Sequence, residues 1–429
     1  MRDKRNKTGK HRTGRHGLVA ALDVGSSKVT CFIARLDAGR DGRAPQVRVL
    51  GIGHQISSGI RCGTIVDMER AEEAIRAAVE SAERMADVTV EDVVLAFATG
   101  GLQSQRLSCD VAIAGHDVSD QDLKRVLQRG HQRPNAPDRE VVHAIPVSYS
   151  IDGSPGIRDP RGMYGERLGV MMHVVTAASA PLRNLLICVE RCHLRVLELA
   201  VAPYASGLSA LVEDEMDLGA TCIDMGAGTT SFSIFRYGHL VACDIVPVGG
   251  AHVTTDIARG LSTTMIHAER IKTLHGSALA GGTDDREMVA VPLLGEEATD
   301  EVNRVPRSML TGIIRPRLEE TFELVRDRLL NSNCEKLSGR RVVLTGGASQ
   351  MNGAREIASR ILERQVRVSA PLQLPGVASA TAGPAFATVA GLLQHAMRPS
   401  VEAARAAPEA DGKAAFAFGR LGRWLRENF

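Results

Sequence analysis

Ala20-Ala-Leu-Asp23-Val-Gly25-Ser26-Ser27-Lys28-Val-Thr30 is matched, 201 residues further on, by Thr221-Cys-Ile-Asp224-Met-Gly226-Ala-Gly228-Thr229-Thr230-Ser231. Each stretch is an apolar run ending in Asp, then a glycine turn rich in hydroxyls, then a second β-patterned run. Glycine permits positive φ and close backbone approach, so successive N–H groups can converge on an anion. Ser26, Ser27, Lys28, Thr229 and Thr230 add further donors, and Lys28 adds a positive charge. One such loop alone reads as an ordinary hairpin turn. Two of them at corresponding places in a duplicated chain would clamp a polyphosphate from both sides. Asp23 and Asp224 close their strands just before the loops. Carboxylates there suit hydrated Mg²⁺ held against β- and γ-phosphate oxygens; the competing role is an Asx-type turn cap.

Working outward, residues 69–86 show helical spacing with Ala74, Ile75, Ala78, Val79 and Ala82 inward. Val93–Phe97 is a short buried strand. From about 99 to 177 the texture breaks into short signals punctuated by Gly and Pro, which marks an inserted small α+β subdomain. The α/β rhythm resumes with a helix over 182–192, a strand over 194–199 and a helix over 203–212. The expected fold is α/β: two lobes from duplicated halves around a cleft, 17–98 with 178–216, and 217–397. A smaller unit sits within the second lobe at about 251–312. Residues 1–16 form a basic arm, 398–415 a linker, and 416–429 a separate helix.

Further glycine-rich turns fall in the second half. Val342-Val-Leu-Thr345-Gly346-Gly347-Ala348-Ser349 runs from strand into turn, and its backbone would let a flat base or sugar lie close. A helix is expected after it, from about 352 to 363. Gly249 and Gly250 open a helix near 251. On the next helix Glu269 and Lys272, spaced i, i+3, share a face. They could bond ribose hydroxyls or form a solvated salt pair.

Composition excludes several classes. The 429 residues carry a net +2, with 3% aromatics. Near-neutral charge and so few rings argue against nucleic acid as a partner. Eight cysteines without a C-x-x-C pair fit free thiols rather than a disulfide frame or zinc site. Cys188, Cys192 and His193 read as one buried helix end rather than a ligand set. The basic N-terminus leads to no sufficiently apolar region before Asp23 to make a secretory signal. The uncharged run 368–397 is broken by Pro371, Pro375 and Pro384, so it reads as loop, strand and short helix rather than a membrane span.

The net charge hides a segregation, because residues 1–16 alone carry +6 and residues 419–429 carry +2. At about 100° per residue, Phe418, Leu421, Leu425 and Phe429 fall on one side of a helix with Trp424 at its edge. Arg420, Arg423, Arg426 and Glu427 occupy the other side. Such a helix lies in a membrane interface, with Trp at the headgroup boundary and Arg toward anionic lipid. Docking into a partner's groove is the alternative.

The order of these pieces resembles the actin, Hsp70 and sugar-kinase ATPase superfamily. Asp23–Lys28 is similar to its first phosphate loop, Asp224–Thr230 to its second, and Leu344–Ser349 to its adenosine motif. Within the superfamily the chain most resembles the FtsA family of bacterial cell-division proteins. The carrying stretches are Val246-Pro-Val-Gly-Gly250, Ala268-Glu-Arg-Ile-Lys272-Thr-Leu-His-Gly276, Val343-Leu-Thr-Gly-Gly-Ala348, the insertion and the tail, over 17–397 and 416–429. The resemblance implies an actin-like fold with ATP and Mg²⁺ as cofactors. It also implies head-to-tail self-association on the cytoplasmic face of the cell membrane at the septum. There such a protein tethers FtsZ through the FtsZ C-terminal peptide and helps recruit later division proteins. In the family the second small subdomain receives that peptide, which makes Arg304, Arg307, Arg315 and Arg317 candidate docking charges; a solvated basic face is the other reading. A pilus-assembly relative and a sugar kinase are the alternative functions. Several superfamily members orient the attacking water with an acid or amide from the helix crossing between the halves. Val201–Ser206, the corresponding stretch, offers neither, so slow hydrolysis at most is expected and the catalytic residue is unassigned.

Overall fold

The computed structural model describes residues 17–37, 46–131, 136–295, 303–332, 334 and 337–398. The basic arm 1–16, nearly all of the linker and the amphipathic helix 416–429 lie outside the described residues.

Leu18–Val24 and Lys28–Asp37 form an antiparallel hairpin in which Asp23 pairs with Thr30. Ala220–Met225 and Thr230–Arg236 form the second, in which Asp224 pairs with Ser231. Every partner is offset by the same 201 residues, so the sequence repeat is a repeat of register. Around each hairpin stands a five-stranded sheet of one topology. In the first the order is Arg195–Val201, Asp92–Phe97, Leu18–Val24, Lys28–Asp37, Gln46–Ile56. The second runs Gln365–Val368, Arg341–Thr345, Ala220–Met225, Thr230–Arg236, His239–Val246. In both, the central strand pairs antiparallel with its hairpin partner and parallel with the strand on its other side. Open α/β sheets of this kind leave their crevice beyond the carboxyl ends of the parallel strands. Both Asp residues sit at those ends.

Met68–Ala86 packs on the first sheet through Ala71, Ala74, Ile75, Ala78, Val79 and Ala82, all buried. Asp67 caps it by accepting from the Arg70 N–H at 3.2 Å. The small residues are needed because strand Gln46–Ile56 lies directly against this helix: a Cβ on Gly53 would collide with the Ala78 carbonyl. Ser179–Arg191, Arg195–Val201 and Ala202–Ala210 follow in order. The last of these is buried along its whole length. It ends at Ala210 rather than 212, because Glu213–Leu218 starts a separate short helix with Glu215 bonding back to the Val212 N–H at 3.2 Å.

The insertion is a sheet of Gln103–Asp117, Tyr164–Ala178, Arg139–Ile151 and Ser154–Ile157, with helix Asp120–His131 beside it. Cys109, Ile113, Leu127, Leu168 and Met172 give it a core of its own. It is keyed to both lobes. The Cys243 N–H donates to Ser104 Oγ at 3.2 Å, and the Val201 N–H to His143 Nε2 at 3.0 Å.

Of residues 368–397, only Val368 belongs to a strand, as the last residue of Gln365–Val368, and the expected loop and helix follow it. Helix Ala387–Met397 packs across Ala202–Ala210, and a Cβ on Gly391 would collide with the Ala205 carbonyl. Among the described residues no helix is long and apolar enough to cross a membrane.

Candidate functional site: a cleft between duplicated hairpins

The two glycine turns are built alike. The Gly25 N–H donates to the Lys28 carbonyl at 3.1 Å, and the Gly226 N–H to the Thr229 carbonyl at 2.9 Å. They meet across the cleft so closely that a Cβ on Gly228 would come 2.5 Å from Ser26 Oγ. Between them opens a cavity of about 800 Å³. Gly25, Ser26, Ser27 and Lys28 line it from one lobe; Gly226, Gly228 and Thr229 line it from the other. Gly250, Glu269, Lys272, Gly346, Gly347 and Ala348 complete the far wall, and Asp23 and Asp224 stand at its base.

Thr230 and Gly249 do not line the cavity. Thr230 starts its strand fully buried, because the hairpin turns it into the sheet. Gly249 braces the second loop from behind: its Cβ position lies 2.6 Å from the carbonyl oxygens of Gly226 and Ala227. Those carbonyls accept from the Gly250 and Ala251 N–H groups at 2.9 and 2.8 Å, tying the loop to the first turn of helix Gly250–Gly260.

Burial is the main force on the charges at the base. It raises Asp23 to about 7, with Lys28 pulling down and Asp224 pushing up. Burial likewise raises Asp224, opposed by hydrogen bonds from Thr388 and Ser206 and by the Lys28 charge. Lys28 is lowered to about 8 by the same desolvation, which outweighs both carboxylates. Two acids and one ammonium thus share a poorly solvated pocket.

On the far wall, Lys272 Nζ donates to Glu269 Oε2 at 2.6 Å, Thr254 Oγ1 at 2.7 Å and the Gly250 carbonyl at 3.1 Å. The pair is solvated on one side only: the Lys272 side chain is 12% exposed, whereas that of Glu269 is 56% exposed. It fixes helix Met265–His275 to Gly250–Gly260 while presenting both groups to the cavity.

The four arginines do not form one surface. Arg307, the first residue of helix Arg307–Asn331, turns back into the cavity wall and bonds the His275 carbonyl at 3.2 Å and Glu287 at 2.9 Å. Arg315 pairs with Glu319 at 2.9 Å, and Arg317 chelates Asp256. Arg304 is exposed on strand Asn303–Pro306. Arg307 thus lines the cleft, apart from the other three. Cys188 is buried, and among the described residues no three His, Cys, Asp or Glu side chains converge as a metal site.

Among the contributors that were missed, two segments stand out. One is the Cys62–Gly63 turn, whose Gly63 N–H donates to Ser26 Oγ at 3.0 Å. The other is Pro384–Thr388, whose Pro384, Ala385 and Thr388 line the cavity. Thr388 donates to Asp224 Oδ2 at 3.0 Å. The only sequence signal for this segment is a Gly-Pro step before a helix.

A duplicated five-stranded topology with paired hairpins closing on one cleft defines the actin-like class. A PilM–PilN type IV pilus biogenesis complex shares it at a TM-score of 0.62 and 17% identity, covering 89% of this chain and 99% of that one. An MreB of Spiroplasma citri bound to ADP shares it at 0.53 and 13%, covering 88% and 95%. The family model for cell division protein FtsA matches residues 221–391, and that for the SHS2 domain inserted in FtsA matches 100–176. The cell division protein FtsA of Agrobacterium fabrum is 45% identical over 97% of this chain and 96% of its own length. That of Escherichia coli is 32% identical over 96% and 98%. The chain belongs to the FtsA family of cell-division proteins.

Proposed function

We propose that the cleft binds ATP with Mg²⁺, and that the chain is a scaffold tethering FtsZ to the cytoplasmic face of the cell membrane. The observation that carries the nucleotide reading is the meeting of the two register-matched loops over Asp23, Asp224 and Lys28. The residues fit the group. Two carboxylates that burial lifts together, beside one ammonium, are what a hydrated cation and a phosphate chain would relieve. When bound, Mg²⁺ would neutralise phosphate charge. Asp23 and Asp224 would hold it through its waters, while the loop N–H groups and Lys28 would face the phosphates. The MreB neighbour is bound to ADP, which supports the same use of the fold.

Hydrolysis is slow at most in this reading. The crossing helix offers no acid or amide over Val201–Ser206, and its Ser206 hydroxyl is shared between the Ala202 carbonyl at 3.0 Å and Asp224. Steady-state phosphate release, with Asp224→Asn as control, tests this: the expected turnover is far below one per second, and several per second would contradict it.

Self-association and membrane attachment follow the family reading. The amphipathic pattern of Phe418, Leu421, Trp424, Leu425 and Phe429 against Arg420, Arg423 and Arg426 supports the attachment. Flotation with phosphatidylglycerol vesicles should show binding by the full chain and loss on truncation after Pro399; equal binding by both would defeat it. For the FtsZ peptide, the second small subdomain offers exposed Met265, Ile266, Leu294 and Met309 and the exposed Arg304. An acidic-apolar peptide would use both kinds of group. Pull-down with the FtsZ C-terminal peptide should be reduced several-fold by Ile266→Glu; unchanged capture would move the docking site elsewhere.

A further inference from the structure

The segment Pro384–Thr388 touches all three cleft motifs. Its Pro384 carbonyl accepts from the Gly346 N–H at 3.1 Å, and Thr388 bonds Asp224. Between these anchors Phe386 lies under the first loop, with Lys28 Nζ 3.3 Å from its ring centroid. The ring has little freedom. It stacks on the buried Phe32 at 6.1 Å and meets His54 edge-on at 6.0 Å. Its own N–H donates to the Gly383 carbonyl at 3.0 Å. Lys28 begins a strand, so its backbone is fixed while its four-carbon stem is free to swing. An ammonium in a poorly solvated pocket is attracted to an aromatic face, and the attraction is strongest where water is excluded.

We propose that Phe386 is a positioning residue of the cleft, its ring holding the Lys28 ammonium on the phosphate side. The inference rests on the nucleotide reading above and adds to it a residue that touches neither phosphate nor metal. Without the ring, the lysine stem samples other rotamers, and a bound phosphate chain loses an ordered cation. Adenosine, which makes no use of that cation, is unaffected.

Two measurements on the full chain test this. The first needs no nucleotide: amine acylation at Lys28, followed by mass spectrometry, in the wild type, Phe386→Leu and Phe386→Tyr. Lys28 labelling should rise several-fold in Phe386→Leu and stay near wild type in Phe386→Tyr, with Lys124 and Lys272 unchanged as internal references. The second is calorimetric titration of ATP, ADP and adenosine. Phe386→Leu should weaken ATP and ADP by about three- to tenfold and leave adenosine unchanged, and Phe386→Tyr should restore the phosphate ligands. Unchanged Lys28 labelling in Phe386→Leu overturns the proposal. So does equal weakening of all three ligands with a lowered Tm, which would mark the ring as mere packing. A wild-type chain that binds no nucleotide refutes the cleft reading itself and this inference with it, and that is seen before any variant is made.

Discussion

Asp23 is held near 7, well above the 3.8 of an ordinary aspartate, mainly because the fold desolvates it. The protonated form therefore favours the folded state. Its stabilising contribution is complete below about pH 4 and is lost as pH rises through about 7. Lys28, lowered to about 8, changes charge only above that window. Relative to the wild type, Asp23→Asn should gain Tm progressively between pH 5 and 7 in the nucleotide-free protein; a constant difference across that range would contradict the assignment. A bound cation should expel the proton. Calorimetry of Mg·ATP binding at pH 6, in buffers of different ionisation enthalpy, should show net proton release that fades by pH 8. Gly346 makes a steric case at the same scale. Its φ is +84°, and a Cβ would collide with Asp224 Oδ1 and the Met225 carbonyl. Gly346→Ala should cost about 2–4 kcal/mol in denaturant unfolding and abolish nucleotide binding.

At the scale of elements, the crossing of Ala202–Ala210 with Ala387–Met397 is closed by Gly391 against the Ala205 backbone and by Ser209 Oγ donating to the Ala387 carbonyl at 2.7 Å. Gly391→Ala should therefore destabilise by about 3 kcal/mol through overpacking, read from the denaturation midpoint. Because the second of these helices carries Thr388, nucleotide affinity should fall as well. The elements differ in how far the sequence revealed them. The hairpins were legible because their signal is local: an apolar run, an Asp, and a glycine turn, written twice. Gly250, Lys272 and Gly346 were legible for the same reason. Pro384–Thr388 was not, since its meaning lies in a bond to a carboxylate 164 residues away. Arg307's place in the cleft wall was not legible either, because charge spacing along a helix does not disclose that the helix's first residue folds back to Glu287. Gly249 and Thr230 belong to the right loops, but only tertiary placement shows that they support the second loop rather than face the cavity.

The whole molecule is two matching sheets joined by a buried crossing helix, with the insertion keyed to both at Val201 and Cys243. That arrangement makes the cleft the natural place where a ligand fixes one lobe against the other, and the loops contribute equally from each side. Titration of Mg·ATP into the full chain, with and without Mg²⁺, and into Asp224→Asn, decides whether it does so. Tight binding that depends on Mg²⁺, reduced at least tenfold in Asp224→Asn only when Mg²⁺ is present, is the expected result. Absence of binding by the wild type, or binding indifferent to both Mg²⁺ and Asp224, would contradict the account.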